Sequence, residues 1–207
     1  MKTRLRLFSV FSISMILGAA LPLSAHAGFL FVEPYVGYGL GGGMSLTAAG
    51  TSLDLLNYKG IGLGARAGFH LGVVFVGADY SYYPTLATSY PNGAASVAFG
   101  TATYNGENDK LSRLGAVLGV NIPVLPIRAW VGYNPMEKLG DNTLTLNGRS
   151  FKAGLGLTPL PFISLNVEYI LSTYTSSTAD GVSQDIDSSA SLTSKMILVS
   201  ASVPLSF

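Results

Sequence analysis

The sequence contains no cysteine, which excludes disulfide staples, thiolate metal sites and thiol nucleophiles. Charge is scarce. Asp, Glu, Lys and Arg make up 11% of the 207 residues, against a usual share of about 25%, too little to clothe a water-facing globule. Twelve bases stand against eleven acids, so there is no cationic excess to hold a nucleic-acid backbone, and no nucleic-acid partner is expected. Beyond residue 27 no uncharged apolar run approaches 18 residues, which excludes a membrane-spanning helix there. The low hydrophobicity of a disordered chain is missing too, since 48% of residues are hydrophobic and mean hydropathy is +0.42.

What is present begins with a targeting pattern. Lys2, Arg4 and Arg6 precede an apolar run from Leu7 to Leu23, followed by the small-x-small triplet Ala25-His26-Ala27. This is the layout of a secretory signal cleaved after Ala27, which leaves residues 28–207 as one domain. The trimmed chain keeps nine bases, eleven acids and a single histidine, His70. An exported, apolar chain without a spanning helix has one other way to satisfy its backbone in lipid, a closed β-barrel.

Period-two alternation supports that reading. Eight segments show it: 32–41, 60–71, 74–83, 112–122, 127–135, 150–158, 162–174 and 196–207. In the second, Ile61, Leu63, Ala65, Ala67, Phe69 and Leu71 share one face, and Arg66, His70 and glycines share the other. In every segment one face is free of charge. Three connections are short, at Gly72-Val73, Pro123–Pro126 and Pro159–Pro161, and four are long and polar, over 42–59, 84–111, 136–149 and 175–195. Short turns on the periplasmic side and longer loops outside are the habit of outer-membrane barrels, so both termini are expected in the periplasm. Outward Tyr38, Tyr80, Tyr82, Tyr133, Phe151 and Tyr169 toward the loop ends, with Phe69 and Phe207 toward the other, read as two aromatic girdles.

The export signal, the eight alternating segments, the turn–loop asymmetry and the terminal Phe207 together resemble the small eight-stranded outer-membrane barrels of the OmpA/OmpX type. The resemblance covers the whole mature chain as a pattern. It implies an all-β, antiparallel up-and-down transmembrane barrel in the bacterial outer membrane, in contact with its lipid and lipopolysaccharide. Phe207, after Val203 and Leu205, resembles the terminal-strand signal read by the barrel-assembly machinery, although Ser202 and Pro204 stand where the family commonly has glycine and aromatics. No wall-binding domain follows the barrel segments in this sequence.

The inward charges invite pairing by register. A two-residue Gly72-Val73 turn sets Arg66 opposite Asp79, and a three-residue turn at Pro159–Pro161 sets Lys152 opposite Glu168. Glu33 and His70 lie near the same rim of neighbouring segments and are candidates to pair. Arg128 lies near that rim on the far wall, and Arg113 has no evident partner. The inward set then holds four cations (Arg66, Arg113, Arg128, Lys152) and three anions (Glu33, Asp79, Glu168). A nearly neutral set reads as a structural ion network in a lumen that side chains can fill, with space left beside the inward glycines for water or a slender ligand. Trp130 faces inward as filler.

Other motifs carry less. Gly37, Gly39 and Gly42 match GxGxxG, but no helix follows, as a dinucleotide site requires. His70, Asp79 and Ser81 contain hydrolase residue types, but His70 is inward and four residues from the level of Asp79. Asp180, Asp185 and Asp187 form an acidic loop rather than a cation site. No cofactor, metal or catalytic residue is expected. A soluble lipocalin-like barrel would need a charged exterior that this chain lacks. The expected function is structural or surface-interacting through the outer loops. The alternatives are a narrow channel or carrier for a small hydrophobic molecule and, third, a lipid A-modifying enzyme.

Overall fold

The structure, a computed structural model, describes residues 29–90, 97–99, 102–104, 109–122, 125–141, 144–160, 162–179, 181–187 and 189–207. The expected signal segment 1–27, Asp180 and parts of the 84–111 connection lie outside them. The strands described are β1 (Leu30–Ala48), β2 (Thr51–Leu71), β3 (Val74–Tyr83), β4 (Ala87–Ser89), β5 (Val97–Phe99), β6 (Ala102–Tyr104), β7 (Lys110–Ile122), β8 (Ile127–Gly140), β9 (Leu144–Leu160), β10 (Ile163–Ala179), β11 (Val182–Asp185), β12 (Ala190–Ser202) and β13 (Leu205–Ser206). Antiparallel pairing runs β1-β2-β3-β7-β8-β9-β10-β12 and returns from β12 to β1, closing an eight-stranded ring. Closure removes the unpaired edges that an open sheet would expose.

All eight expected segments are strands, and their faces divide as the alternation requires. Leu63, Val131, Leu155, Leu165 and Val199 are exposed, whereas Glu33, Arg66, Asp79, Lys152 and Glu168 are buried. This inverts the layout of a water-soluble globule, and only a hydrocarbon surround makes it favourable. From Leu30 to Leu40 the outward residues of β1 are all uncharged. At a rise of about 3.3 Å per residue and a tilt of about 40°, that stretch covers about 25 Å along the barrel axis, the height of a hydrocarbon band.

The polar stretches 42–59, 136–149 and 175–195 are mostly strand rather than loop. β1 and β2 continue to a two-residue turn at Ala49-Gly50 with φ of 50° and 78°, the doubly left-handed geometry of a type I′ hairpin. β8, β9 and β10 also continue past the apolar band, and β11 folds back on β10. In this projecting half many outward side chains are polar, among them Asn57, Lys59, Arg149 and Lys195, with Leu53, Met136 and Val182 exposed between them, while inward Met44, Leu56, Leu146 and Leu192 are buried. The polarity inverts where the wall leaves hydrocarbon for water, and that inversion disguises strand as loop. Within 84–111, β4 pairs with β2, β5 pairs with β6, and buried Leu86 joins the inner core.

Bulges reset the parity between the two halves. Gly41, at φ 54°, interrupts the β1 register between Leu40 and Gly43. Pro135, which has no N–H for the ladder, marks a shift between Asn134 and Glu137 on β8. The last segment is not one continuous strand: β12 ends at Ser202, and β13 resumes at Leu205. The break at Val203-Pro204 lies across from Glu33 and Pro34, where Val203 N–H donates to Pro34 C=O at 3.0 Å and Pro34 has no N–H to return the bond. Beyond it Phe207 and Leu30 exchange backbone bonds of 2.9 and 3.2 Å and close the ring at its terminal rim.

Candidate functional site: the filled lumen

Six charges from six strands meet in the lumen. Arg66 faces Asp79 across β2 and β3, with Nε 2.9 Å from Oδ2. The same guanidinium donates to Glu33 Oε1 at 3.2 Å and to Glu168 Oε1. Lys152 Nζ donates to Asp79 and lies 3.1 Å from Glu168 Oε2. Arg128 reaches from β8 to Glu33 at 2.8 Å. Tyr35 donates to Asp79 at 3.1 Å, and Ser202 donates to Glu33 at 2.6 Å. Three cations and three carboxylates thus neutralise one another: Arg66 with its three carboxylates and Lys152 with Asp79 are hydrogen-bonded, whereas Arg128 on Glu33 and Lys152 on Glu168 are ion pairs alone.

The geometry corrects several sequence expectations. Lys152 is not directly opposite Glu168: it pairs in register with Ile170, and Glu168 pairs with Gly154. Pro159 and Leu160 belong to β9, not to the turn. Thr158 N–H bonds Pro126 C=O, just before β8, so the missing N–H of Pro159 faces β10, where the register shifts between Ile163 and Leu165. The ion pair survives as a diagonal contact because Lys152 is long. The Glu33 carboxylate is engaged by Arg66, Arg128 and Ser202, and Glu33 and His70 line the same small cavity at the terminal rim. His70 packs its ring against Phe31, with centroids 5.0 Å apart, and its Nδ1 lies 3.4 Å from Asn121 Nδ2. It faces Phe75 in register, near the terminal rim and away from Ser81.

Arg113 does have a partner, and sequence reasoning missed it. Glu137 approaches Arg113 Nε at 2.9 Å and accepts from Tyr174 Oη at 2.8 Å. Glu137 falls in the polar stretch 136–149, which reads as a loop from composition. The bulge at Pro135 turns this odd-numbered side chain inward, although Trp130, Gly132 and Asn134 set an even inward parity before it. A proline inside an alternating run is the signal that could have found it. With Glu137, and with Asp109, whose carboxylate accepts from the Thr88 hydroxyl at 3.1 Å, the buried ions among the described residues number four cations and five carboxylates.

Apolar side chains flank the ions on both sides. Toward the projecting end lies a buried apolar cluster that includes Met44, Tyr58, Tyr83, Leu111, Leu139 and Leu192. Toward the terminal rim lie Phe31, Phe75, Val117 and Trp130. Four of the inward glycines are floors for rings from neighbouring strands: a Cβ at Gly64 would lie 2.2 Å from Tyr35, at Gly62 2.5 Å from Tyr83, at Gly119 2.3 Å from Phe75, and at Gly154 2.3 Å from Trp130. Trp130 is more than filler, since its ring stacks on Arg66 and Arg128 with centroid distances of 4.5 and 5.4 Å. The cavity at the terminal rim, beside His70, Asn121 and Arg128, measures about 30 Å³, room for about one water. In the outer acidic segment Asp185 and Asp187 are exposed, and the Ser189 N–H that donates to Asp187 at 2.9 Å holds that carboxyl below its ordinary range.

A closed ring with oil-facing side chains outside and paired ions inside decides the fold class. The chain has the fold of the eight-stranded outer-membrane barrels. No protein-family model matches it, and no curated protein matches it by sequence. Among solved structures, the barrel is similar to Neisserial surface protein A at 13% identity and a TM-score of 0.45, covering 84% of this chain and 96% of that one. It is similar to the attachment invasion locus protein of Yersinia pestis, solved with the heparin analogue sucrose octasulfate, at 14% identity and a TM-score of 0.46, covering 86% and 99%. It is also similar to the N-terminal barrel domain of Pseudomonas aeruginosa OprF at 12% identity and a TM-score of 0.42, covering 86% and 99%.

Proposed function

We propose that the protein is a non-conducting, non-enzymatic outer-membrane scaffold that holds a strand-built projection at the cell surface for structural or contact roles. The observation that carries this reading is the filled lumen, in which a neutral ion cluster lies between two apolar plugs. A channel needs a continuous wet path, and the ring-on-glycine packing supports the closed reading. In this reading residues 1–27 direct export, the terminal rim faces the periplasm, and the β1–β2, β8–β9 and β10–β12 projections face outward. Phe207, paired to Leu30, serves the assembly machinery as its strand signal.

Planar bilayers test the closed lumen. Protein refolded from its mature chain is expected to show no discrete conductance steps, and reproducible steps would overturn the scaffold reading in favour of a channel. Mass spectrometry of lipid A from cells with and without the protein tests the enzymatic alternative, and unchanged acylation is the expected result.

A further inference from the structure

Nine bases remain once the signal segment is set aside, and they divide into two sets. Arg66, Arg113, Arg128 and Lys152 are inside, each with a carboxylate partner. Lys59, Lys110, Lys138, Arg149 and Lys195 are exposed on the outside, all beyond the apolar band on its projecting side. Three of these are contiguous. Lys110 on β7 pairs with Gly140, and Lys138 on β8 pairs with Ser112, so the two lysines are diagonal neighbours. Lys138 in turn pairs with Asn147 on β9, two residues from Arg149. Diagonal neighbours on one face of a sheet are within reach of long side chains. Three like charges on adjacent strands repel, and among the described residues none of the three makes an ion pair. The adjacent Asp141 carboxylate accepts from the Leu144 N–H at 2.8 Å.

Directly below this patch, on the same strands, the lipid-facing wall is grooved. Ala116 and Ala153 give a low floor, and Tyr133, Phe151, Leu118 and Tyr169 stand around it, forming an open groove of about 500 Å³. Tyr133 and Phe151 pack with centroids 4.7 Å apart at the edge nearest the cations. An apolar groove at hydrocarbon depth under a cluster of unneutralised cations at headgroup depth is complementary to one kind of molecule: acyl chains attached to a phosphorylated head. A second copy of this chain does not fit, because an isologous contact would bring the same cations together.

We infer that this face of the barrel binds a phosphorylated, multiply acylated glycolipid of the outer leaflet, with acyl chain in the Ala116–Ala153 groove and phosphate on Lys110, Lys138 and Arg149. The inference rests on the reading that the barrel lies in the outer membrane with its projections outward. Groove and cations together make it a site of preferred residence, not a general anionic fringe.

Native mass spectrometry of the refolded mature chain in detergent, titrated with diphosphoryl lipid A, tests it. The triple variant Lys110→Gln/Lys138→Gln/Arg149→Gln is expected to bind about 100-fold more weakly than wild type, as loss of three near-surface cations implies. Lys59→Gln/Lys195→Gln, which removes as exposed a pair elsewhere on the rim, is expected to bind within about threefold of wild type on the same scale. Dephosphorylated lipid A is expected to bind as weakly as the triple variant binds the phosphorylated form. Equal binding by wild type and triple variant, or equal retention of dephosphorylated lipid A or of phosphatidylglycerol, would overturn the assignment. The underlying reading is scored separately, before any lipid A is added. A wild-type chain that fails to enter phosphatidylcholine vesicles in a heat-modifiable form refutes the membrane barrel, and projections shielded from protease on intact cells refute the orientation.

Discussion

Arg113 and Glu137 close on one another across β7 and β8 with Nε and Oε2 2.9 Å apart and both side chains buried. Each makes the other tolerable. Glu137→Leu is expected to cost about 3–5 kcal/mol because it strands a buried guanidinium, whereas Arg113→Leu/Glu137→Leu is expected to recover most of that loss. Urea titration of the lipid-reconstituted barrel, followed by heat-modifiable gel mobility, measures both. A double variant as damaged as the single one would mean that the pair is not mutually compensating.

The six-ion cluster predicts a different pattern. Arg66→Ala leaves Lys152 and Arg128 facing three carboxylates and is expected to cost about 3–5 kcal/mol. Adding Asp79→Ala restores the balance of charge and is expected to recover part of the loss. The same titration reads the coupling, which should exceed the roughly 0.5 kcal/mol scatter of independent sites. Recovery stays incomplete because Lys152 also loses Asp79.

Glycine under a ring gives a third test. Gly154→Ala places a Cβ against the Trp130 indole and is expected to cost about 1–3 kcal/mol by overpacking. In a Trp130→Phe background the smaller ring should make the same substitution milder. Unfolding midpoints of the four chains give the comparison, and equal costs in both backgrounds would show that the ring does not sense that position.

How far these features were legible in the chain depends on where each residue lies. Within the hydrocarbon band one rule governs both faces, so Leu63 and Arg66 declare their sides by alternation alone. The Gly72-Val73 turn then sets Arg66 opposite Asp79. Beyond the band that rule reverses: Met44 and Leu192 point in and Lys195 points out, and a search for an outward apolar stripe passes over strand. Glu137 was hidden by a parity change at Pro135, and the Lys152 register by a proline that extends a strand instead of ending it. Inward glycines look like empty space in a sequence, which shows the missing side chain but not the neighbouring ring that occupies its place.

The two faces also differ in what they accept. Ala67 is outward, and Ala67→Lys is expected to cost about 2–4 kcal/mol near mid-depth. Ser200 is inward, where Asn166 donates to its hydroxyl at a long 3.4 Å, so Ser200→Ala is expected to cost under about 1 kcal/mol. Folding yield into phosphatidylcholine vesicles should fall sharply for the first and hardly for the second. Equal yields would contradict the assignment of faces.

The account stands on which side of each strand meets hydrocarbon, and β12 offers the most direct measurement. Because the chain has no cysteine, single cysteines introduced from Met196 to Val203 carry unique nitroxide labels. Oxygen accessibility in lipid vesicles is predicted to alternate, high at Ile197, Val199, Ala201 and Val203 and low at Met196, Leu198, Ser200 and Ser202. The opposite phase, or no alternation at all, would contradict it.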